Sequence, residues 1–389
     1  MLARWSTSGS SWRGWRRCCP ASPSGGEGER LRRLPDATLA ELRTADVFRA
    51  LVPESLGGHG LGLDFVVELG RTLGHADTAT SWVTTFLVMH SWLLSLFPAE
   101  VAGQVLGEQG YALAPAALSP TGTATPVDGG YEVSGRWSWA TGVMHADAVL
   151  VTGVVATDGM PDLRMVLLSP DQIRVDDVWH TDGMRATGSN DVVAEAAFVP
   201  TSHTLSFLAL AEGEVSPHPG PMAGYPLVPT LCFTAAAPLL GGAEGACTAF
   251  RERLAGRVLA YSLGDRQAEK PAAQIRLARA DADLRAARLL VEDGVDRLAD
   301  VYGRGDRLAR AQRSDLRMAA THAVHLSRRA VGSLCEAAGG SAHLLDQPLQ
   351  RFRRDLETGA AHAVFDEDRT AETHGRILVG LEPGLTDML

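Results

Sequence analysis

Two histidines and one threonine in this sequence could move or hold a proton beside a buried ligand. His362 stands near the end of the chain, and His90 interrupts a very apolar stretch. Thr141 closes an aromatic run, two residues after Trp139. An imidazole titrates near neutral pH and serves as a general acid or base, whereas a hydroxyl can accept a hydrogen bond. These types of side chain predict proton-transfer or hydrogen-bonding chemistry, provided that the fold brings them together.

The sequence lacks the patterns of several other kinds of site. No GxGxxG motif opens a helix after a strand, so direct use of a nicotinamide cofactor is not expected. The five cysteines contain no CxxC pair, which argues against a zinc site or a disulfide framework and fits a reducing cytoplasm. His322 and His325 are three residues apart without a third ligand at matching spacing, so we expect no metal site.

Composition describes a globular, acidic protein. The 389 residues are 45% hydrophobic and 21% charged, with a net charge of -10, which argues against nucleic-acid binding. The length suggests two or three packed units. Residues 1–29 are rich in Arg, Trp, Ser and Gly but contain no apolar signal-peptide core, so we interpret them as a disordered leader.

The spacing of apolar residues predicts the helices and strands that must position these side chains. Residues 30–111 have helical spacing, and the segment 79–97 predicts a buried helix that carries His90. Residues 112–203 change to a period of two, which predicts short strands in a small barrel or sandwich. From residue 225 the chain is helical again, and a last helix over 349–378 is expected to carry His362. The predicted fold class is therefore α+β.

The segment 134–147 and the order of the predicted elements together resemble the acyl-CoA dehydrogenase superfamily. Further matching motifs are Leu51-Val52-Pro53-Glu54, Gly57-Gly58, Gly183-Met184-Arg185, Gly339-Gly340-Ser341 and Arg354-Asp355. The resemblance implies an N-terminal helical domain (30–111), a β-barrel domain (112–203) and a C-terminal four-helix bundle (225–389). It also implies that a Trp-x-Thr segment, here Trp139 and Thr141, lies against a flavin ring.

The sequence departs from the dehydrogenases where their catalytic base often stands. Nine residues after Arg354 the chain has Ala363, which cannot accept a proton, with His362 beside it. Together with Pro120-Thr121-Gly122 and the segment 179–192, this resembles the oxygenase components of two-component (group D) flavin-dependent monooxygenases. A dehydrogenase with a displaced base, for example Glu244, an N-hydroxylating relative and a non-enzymatic relative stay open as alternatives.

The resemblance implies a mechanism. A separate reductase supplies reduced FMN or FAD, oxygen adds at flavin C4a, and the hydroperoxide hydroxylates a small aromatic or natural-product substrate. Thr141 would accept a hydrogen bond from flavin N5–H, and His362 would act as general base or orient the substrate, with His90 as a further catalytic candidate. The candidate flavin-binding residues beside Trp139 are Thr121, Ser189 and Asn190.

The resemblance also suggests how the flavin phosphates are held. Arg257 lies at about the position of a phosphate-binding arginine of the dehydrogenases, and a guanidinium can pair with phosphate bidentately. Gly339 and Gly340 would allow the flavin of a neighbouring subunit to approach closely. A homotetramer is expected by the same resemblance.

Overall fold

The first described helix begins inside the segment interpreted as a leader. The computed structural model describes residues 25–384, 387 and 389, so most of that prediction (residues 1–24) lies outside the described residues. Helix α1 (Gly25–Leu31) contains Glu29, whose carboxylate pairs with Arg354 at 2.8 Å and whose backbone carbonyl accepts from Arg185. The leader prediction was therefore wrong for residues 25–29, which contact two later parts of the chain.

The predicted N-terminal helices are confirmed with small shifts of their ends. Asp77 begins the most buried of them by accepting a hydrogen bond from the Thr80 N–H at 2.8 Å, as an N-cap does. Every residue of that helix is buried, so it is packed on all sides. The helices before the sheet are α1, α2 (Asp36–Thr44), α3 (Leu63–Ala76), α4 (Thr78–Leu94) and α5 (Ala99–Leu106).

A single seven-stranded sheet follows, in the order β5-β6-β2-β1-β3-β4-β7. Its pairs are antiparallel except β1 with β3. The strands are β1 (Ala116–Val127), β2 (Gly130–Ala140), β3 (Val149–Val155), β4 (Asp162–Leu168), β5 (Arg174–Asp176), β6 (Asn190–Pro200) and β7 (Thr204–Ser206). Within the described residues the hydrogen-bonded order has two ends, so the sheet is open where a closed barrel was expected.

The sheet curls around a small core of its own. Trp137 is fully buried there and donates its indole N–H to the Thr152 carbonyl at 2.8 Å. Val192 of β6 and Val166 of β4 belong to the same buried cluster, although three other strands lie between β6 and β4 in the sheet. Only a strongly curved sheet brings such residues into one core.

Long helices make up the remainder of the chain. A short helix follows β7, and the first long helix starts at Leu227, close to residue 225, where helical spacing was predicted to resume. These helices are α6 (Phe207–Ala211), α7 (Leu227–Gly256), α8 (Pro271–Gly303), α9 (Arg310–Ala338), α10 (Pro348–Ala360) and α11 (Glu367–Leu378). Of the described helices, only α7 is long and apolar enough to cross a membrane, and 89% of its apolar window is buried inside the protein, as in a core helix.

The last predicted helix, over 349–378, was wrong as a single element. Helix α10 ends at Ala360, a short 3-10 turn spans Ala363–Phe365, and α11 starts at Glu367. His362 is the N-cap of the 3-10 turn, so it lies between helices and not on one. We call residues 362–365 the His362 turn.

The two helical parts of the chain share one hydrophobic core. Leu87 of α4, Leu240 of α7 and Val331 of α9 belong to a single buried cluster that also includes residues of α2 and α3. Because a packed interior transmits displacements, the position of α4 depends on the C-terminal helices.

Two motifs that carried the family resemblance are in contact. Asp355 of α10 is buried and accepts a hydrogen bond from the Met184 N–H at 2.6 Å. Arg354 donates to the Asp182 carbonyl, and Gly183 lies so close that a methyl group there would overlap the Arg354 carbonyl. The contact joins α10 to the loop before β6.

This contact predicts that a side chain at position 183 destabilises the fold. Gly183→Ala should lower the free energy of unfolding by about 1–3 kcal/mol, because the added methyl overlaps backbone atoms that cannot move away easily. Chemical denaturation measures the change. Gly159→Ala is the matched control, since a methyl there has nothing within 4 Å. Equal stability of the two variants would show that the loop is not pressed against α10.

Candidate active site

Thr141 directly follows the last residue of β2 and belongs to a small network of hydroxyl groups. Its Oγ accepts a hydrogen bond from the indole N–H of Trp82 at 3.3 Å. It also pairs with the Ser189 hydroxyl at 3.0 Å, and Ser189 pairs with the Thr187 hydroxyl at 2.7 Å. All four residues are buried. The structure thus brings Thr141 and Ser189, both predicted as flavin-binding residues, into direct contact.

His362 projects into a group of aromatic side chains. The centroid of its ring lies 5.6 Å from that of Trp82, 6.3 Å from that of Phe86 and 6.5 Å from that of Phe365. Its Nδ1 accepts a hydrogen bond from the Val364 N–H at 3.2 Å. A neutral ring in this position carries its proton on Nε2, because Nδ1 is occupied as an acceptor.

Trp82 connects the two predicted residues, and sequence reasoning did not single it out as part of the site. Its N–H binds Thr141 while its ring contacts His362. Trp82, Phe86 and His90 are spaced by four on α4, so they share one face. That spacing, with a histidine at its end, was the signal available in the sequence.

Both histidines of this site are held in their neutral forms. Burial lowers the pKa of His362 to about 4, although its ring keeps some accessible surface. Burial also lowers the pKa of His90 to about 4, against a hydrogen bond with the Ala114 backbone that raises it. Both rings are therefore uncharged at neutral pH.

His90 lies one turn beyond Phe86, whose ring it contacts edge-on at 5.6 Å between centroids. The side chain is buried, and its Nδ1 has no hydrogen-bond partner among the described residues. An unpaired buried nitrogen is costly, which suggests that a ligand atom or a water uses it. The structure places His90 beside the aromatic group but separated from His362 by Phe86.

A bulge directs Trp139 outward. Trp137 and Trp139 would face the same side of a regular strand, yet Trp137 is buried and Trp139 is 64% exposed. The pairing of β2 with β6 shifts register between Trp137 and Ala140, and Trp139 has a φ of 69°. Its backbone N–H donates to the Asp191 carboxylate at 3.3 Å. Such strain in a residue other than glycine is typical of functional sites.

The remaining predicted residues of the β region, Asn190 and Thr121, form hydrogen bonds with the backbone of neighbouring segments. The Asn190 side chain is buried and accepts hydrogen bonds from the Val178 and Trp179 N–H groups, each at 3.0 Å, so its amide oxygen holds that loop. Trp179 in turn contacts Trp139 edge-on, with ring centroids 6.2 Å apart. The exposed Thr121 donates to the Arg136 carbonyl at 2.7 Å.

Arg257, Gly339 and Gly340 meet at a second place, the C-terminal end of α9. Arg257 donates to the Ala338 carbonyl, and its guanidinium lies across Gly339, where a side chain would clash with it. Arg253 also binds the Ala338 carbonyl, at 3.2 Å. Both arginines line an open cleft of about 550 Å³. The structure thus brings Arg257 and Gly339 together, and the binding of flavin phosphates at this place stays a prediction.

The surroundings of Thr141 fit a flavin ring. An isoalloxazine ring needs a flat apolar surface and a hydrogen-bond partner at its edge; the exposed indole of Trp139 and the Thr141 hydroxyl offer these two features two residues apart. Glu244, the displaced base of the dehydrogenase alternative, is instead paired with Arg71 at 2.9 Å between α3 and α7.

Comparison with known proteins identifies the family of this chain. The family described as "Acyl-CoA dehydrogenase, C-terminal domain" matches residues 233–367. The oxygenase subunit HsaA of a flavin-dependent monooxygenase from Rhodococcus jostii (strain RHA1) is 33% identical over 362 residues, covering 91% of this chain and 94% of that protein. The chain belongs to the oxygenase components of flavin-dependent monooxygenases.

Two other relatives of this oxygenase chain are informative. The oxygenase component of an FADH2-dependent resorcinol hydroxylase from Rhizobium sp. (strain MTP-10005) is 30% identical over 371 residues, covering 91% of this chain and 90% of that protein. The structure of XiaF from Streptomyces sp., in complex with FADH2 and glycerol, covers 100% of both chains with a TM-score of 0.92 and 28% identity.

The depressed pKa of His362 predicts a dependence of stability on acid. The unfolded ring has a pKa of about 6.5, so the unfolded state binds a proton first as the pH falls, and stability is lost between about pH 6.5 and pH 4. The melting temperature of His362→Gln should fall less than that of the wild type over this range. His343→Gln, which changes an exposed ring, is the control and should follow the wild type. Parallel curves for all three proteins would contradict a buried neutral His362.

Proposed function

We propose that this oxygenase component receives reduced flavin from a separate reductase and uses oxygen to hydroxylate a phenolic aromatic substrate held by His362. The observation that carries the proposal is the aromatic group around the His362 ring, joined to Thr141 through Trp82. A bound reduced flavin would supply the two electrons that activate O2, so that one oxygen atom enters the substrate and the other leaves as water. Trp139, Thr141 and Ser189 are the residues that would hold its ring.

The hydrogen bonds of Thr141 leave it one free acceptor position. A hydroxyl has one donor and two lone pairs. Thr141 accepts from Trp82 and can donate to Ser189, so one lone pair of its oxygen stays available. That lone pair suits an N–H donor at the edge of the flavin. Holding this proton in place favours transfer of oxygen to the substrate over its loss as peroxide.

The hydrogen bond at Nδ1 favours one of the two roles expected for His362. The Val364 N–H occupies the lone pair of Nδ1, so the neutral ring presents Nε2–H to the substrate. An N–H in this position donates to a phenolic oxygen and orients it, whereas a general base needs a free lone pair there. We infer that His362 orients the substrate and stabilises negative charge on its oxygen.

The surroundings favour an uncharged, planar substrate. Trp82, Phe86 and Phe365 offer apolar ring surface around the imidazole, and both nearby histidines are neutral. The relative named as a resorcinol hydroxylase acts, by its name, on a phenol, and with the FADH2-bound XiaF it supports reduced FAD over reduced FMN. We therefore infer a small phenol as substrate and FADH2 as its flavin.

Assembly as a cytoplasmic homotetramer is the arrangement that we propose. The loop between α7 and α8 begins at Arg257 and carries the fully exposed side chains of Tyr261 and Leu263. Such exposed apolar side chains beside the cleft of Arg253 and Arg257 support a subunit contact there. The two arginines would bind the flavin phosphates of a neighbouring subunit.

Within one subunit we propose the division into residues 30–111, 112–203 and 225–389, with 25–29 added to the first unit.

An aerobic assay with reduced flavin tests the proposed function. Purified protein is mixed with FADH2 or FMNH2, oxygen and a panel of simple phenols, and both product and hydrogen peroxide are measured. We expect hydroxylated product from at least one phenol, with tighter binding of FADH2 than of FMNH2. Release of peroxide alone with every phenol would overturn the proposal, and bleaching of a bound yellow flavin by acyl-CoA would support the dehydrogenase alternative.

Variants of His362 separate its two possible roles. His362→Gln keeps an N–H donor, so product formation should fall only a few-fold, whereas His362→Phe should lose about tenfold to a hundredfold, as for loss of a hydrogen bond to a charged group. Product per flavin oxidised is measured for each. An equal loss in the two variants would indicate a general base and contradict the orienting role. The matched control is His322→Gln, a change of an exposed histidine on α9.

A further inference from the structure

Three successive carbonyl groups of the His362 turn receive hydrogen bonds from α9. The Arg317 guanidinium lies 3.5 Å from the Ala363 oxygen through Nη2 and 3.4 Å from the Val364 oxygen through Nε. His325 Nε2 lies 3.2 Å from the Phe365 oxygen. Arg317 and His325 are about two helical turns apart and therefore lie on the same side of α9. The shape of the turn is thus set by a neighbouring helix.

His325 is placed between two acceptors. Besides the Phe365 carbonyl at Nε2, it has a carboxylate oxygen of Glu367 at 3.1 Å from Nδ1. A carbonyl and a carboxylate can only accept, and a neutral imidazole has a single N–H to give. The contact with the Phe365 carbonyl therefore requires the proton on Nε2. Glu367 is the first residue of α11, where a negative charge is favourable at the helix N-terminus.

We propose that His325 is a positioning residue for His362, an inference that rests on the proposed function. It holds the Phe365 carbonyl and the start of α11 together. This fixes the His362 turn in the shape that directs the Val364 N–H at Nδ1 of His362. The proton of His362 then stays on Nε2, where it meets the substrate. Arg317 supports the same turn through its two preceding carbonyl groups.

His325→Phe and His322→Phe form a matched pair of variants. The substitution is the same, both sites are on α9, and His322 is exposed. In His325→Phe we expect product per flavin oxidised to fall about tenfold with a matching rise in peroxide, because a displaced orienting group costs rate steeply. Affinity for reduced flavin should stay within about twofold of the wild type, since the substitution leaves Thr141 and Trp139 in place. His322→Phe should behave as the wild type.

A conservative variant distinguishes positioning from folding. Gln at position 325 can still donate to the Phe365 carbonyl, so His325→Gln should recover a substantial part of the product yield lost in His325→Phe. Wild-type yield in His325→Phe, or equal losses in the Phe and Gln variants, would overturn the inference. So would a loss of flavin binding in proportion to the loss of product, because that pattern indicates general damage to the fold.

A second readout does not depend on turnover. ¹⁵N NMR of protein labelled at histidine reports which ring nitrogens carry protons. We expect a proton on Nε2 of His325, which donates to the Phe365 carbonyl, and His362 protonated at Nε2 only. In His325→Phe the His362 signal should show a mixture of tautomers, whereas His325→Gln should keep most of the Nε2 form. A His325 ring without a proton on Nε2 would overturn the inference even where the wild type hydroxylates phenols. If no phenol is hydroxylated, the proposed function fails while this measurement still tests the contact.

Discussion

The indole of Trp82 is the interaction on which the arrangement of the site depends. Its N–H reaches the hydroxyl at the end of β2, and its ring lies against the imidazole between α10 and α11. One side chain therefore sets the distance between the two groups that would act on flavin and substrate. Trp82 can do so because α4 is buried along its whole length and packs against helices from both ends of the chain. Dense packing leaves such a side chain little freedom to move.

The same burial determines the charge of the site. Removing two imidazole rings from water disfavours their protonated forms, and the pKa of each is lowered to about 4. A neutral ring can donate one hydrogen bond without attracting counter-ions or water into the site. Exclusion of water matters for oxygen transfer, because a proton supplied by solvent would release the oxygen as peroxide. The charged arginines stay outside the aromatic group, Arg317 on α9 and the other two at the cleft of Arg253 and Arg257.

Periodicity was sufficient to predict the elements because their signals are local. The α+β class and the long helices follow from repeats of apolar residues that each segment carries by itself. The break at His362 was missed because residues 360, 361 and 363 are alanines, the best helix formers. It is caused by hydrogen bonds from α9, far away in sequence, and by the capping of the Val364 N–H by the histidine itself.

The candidate site was predictable in part for the same reason. Thr141, Ser189 and His362 could be named from short motifs, and the structure joins them through Trp82. The outward direction of Trp139 could not be predicted, because alternation places it on the same face as Trp137. The bulge that turns it is stabilised by Asp191 on the neighbouring strand. Contacts of that kind depend on register between strands, which single-sequence patterns do not contain.

Helix α10 links the two sides of the site. Near its middle, Asp355 holds the Met184 N–H at 2.6 Å, and the Met184 carbonyl accepts from the Trp179 indole, whose ring contacts Trp139. Burial, together with the nearby Asp77, raises the pKa of Asp355 to about 8, so it is largely protonated at neutral pH and can still accept through its carbonyl oxygen. At the C-terminal end of α10, His362 follows Ala361. Trp139 and His362, the residues proposed to face flavin and substrate, are therefore both positioned from one helix, so a shift of α10 would displace both.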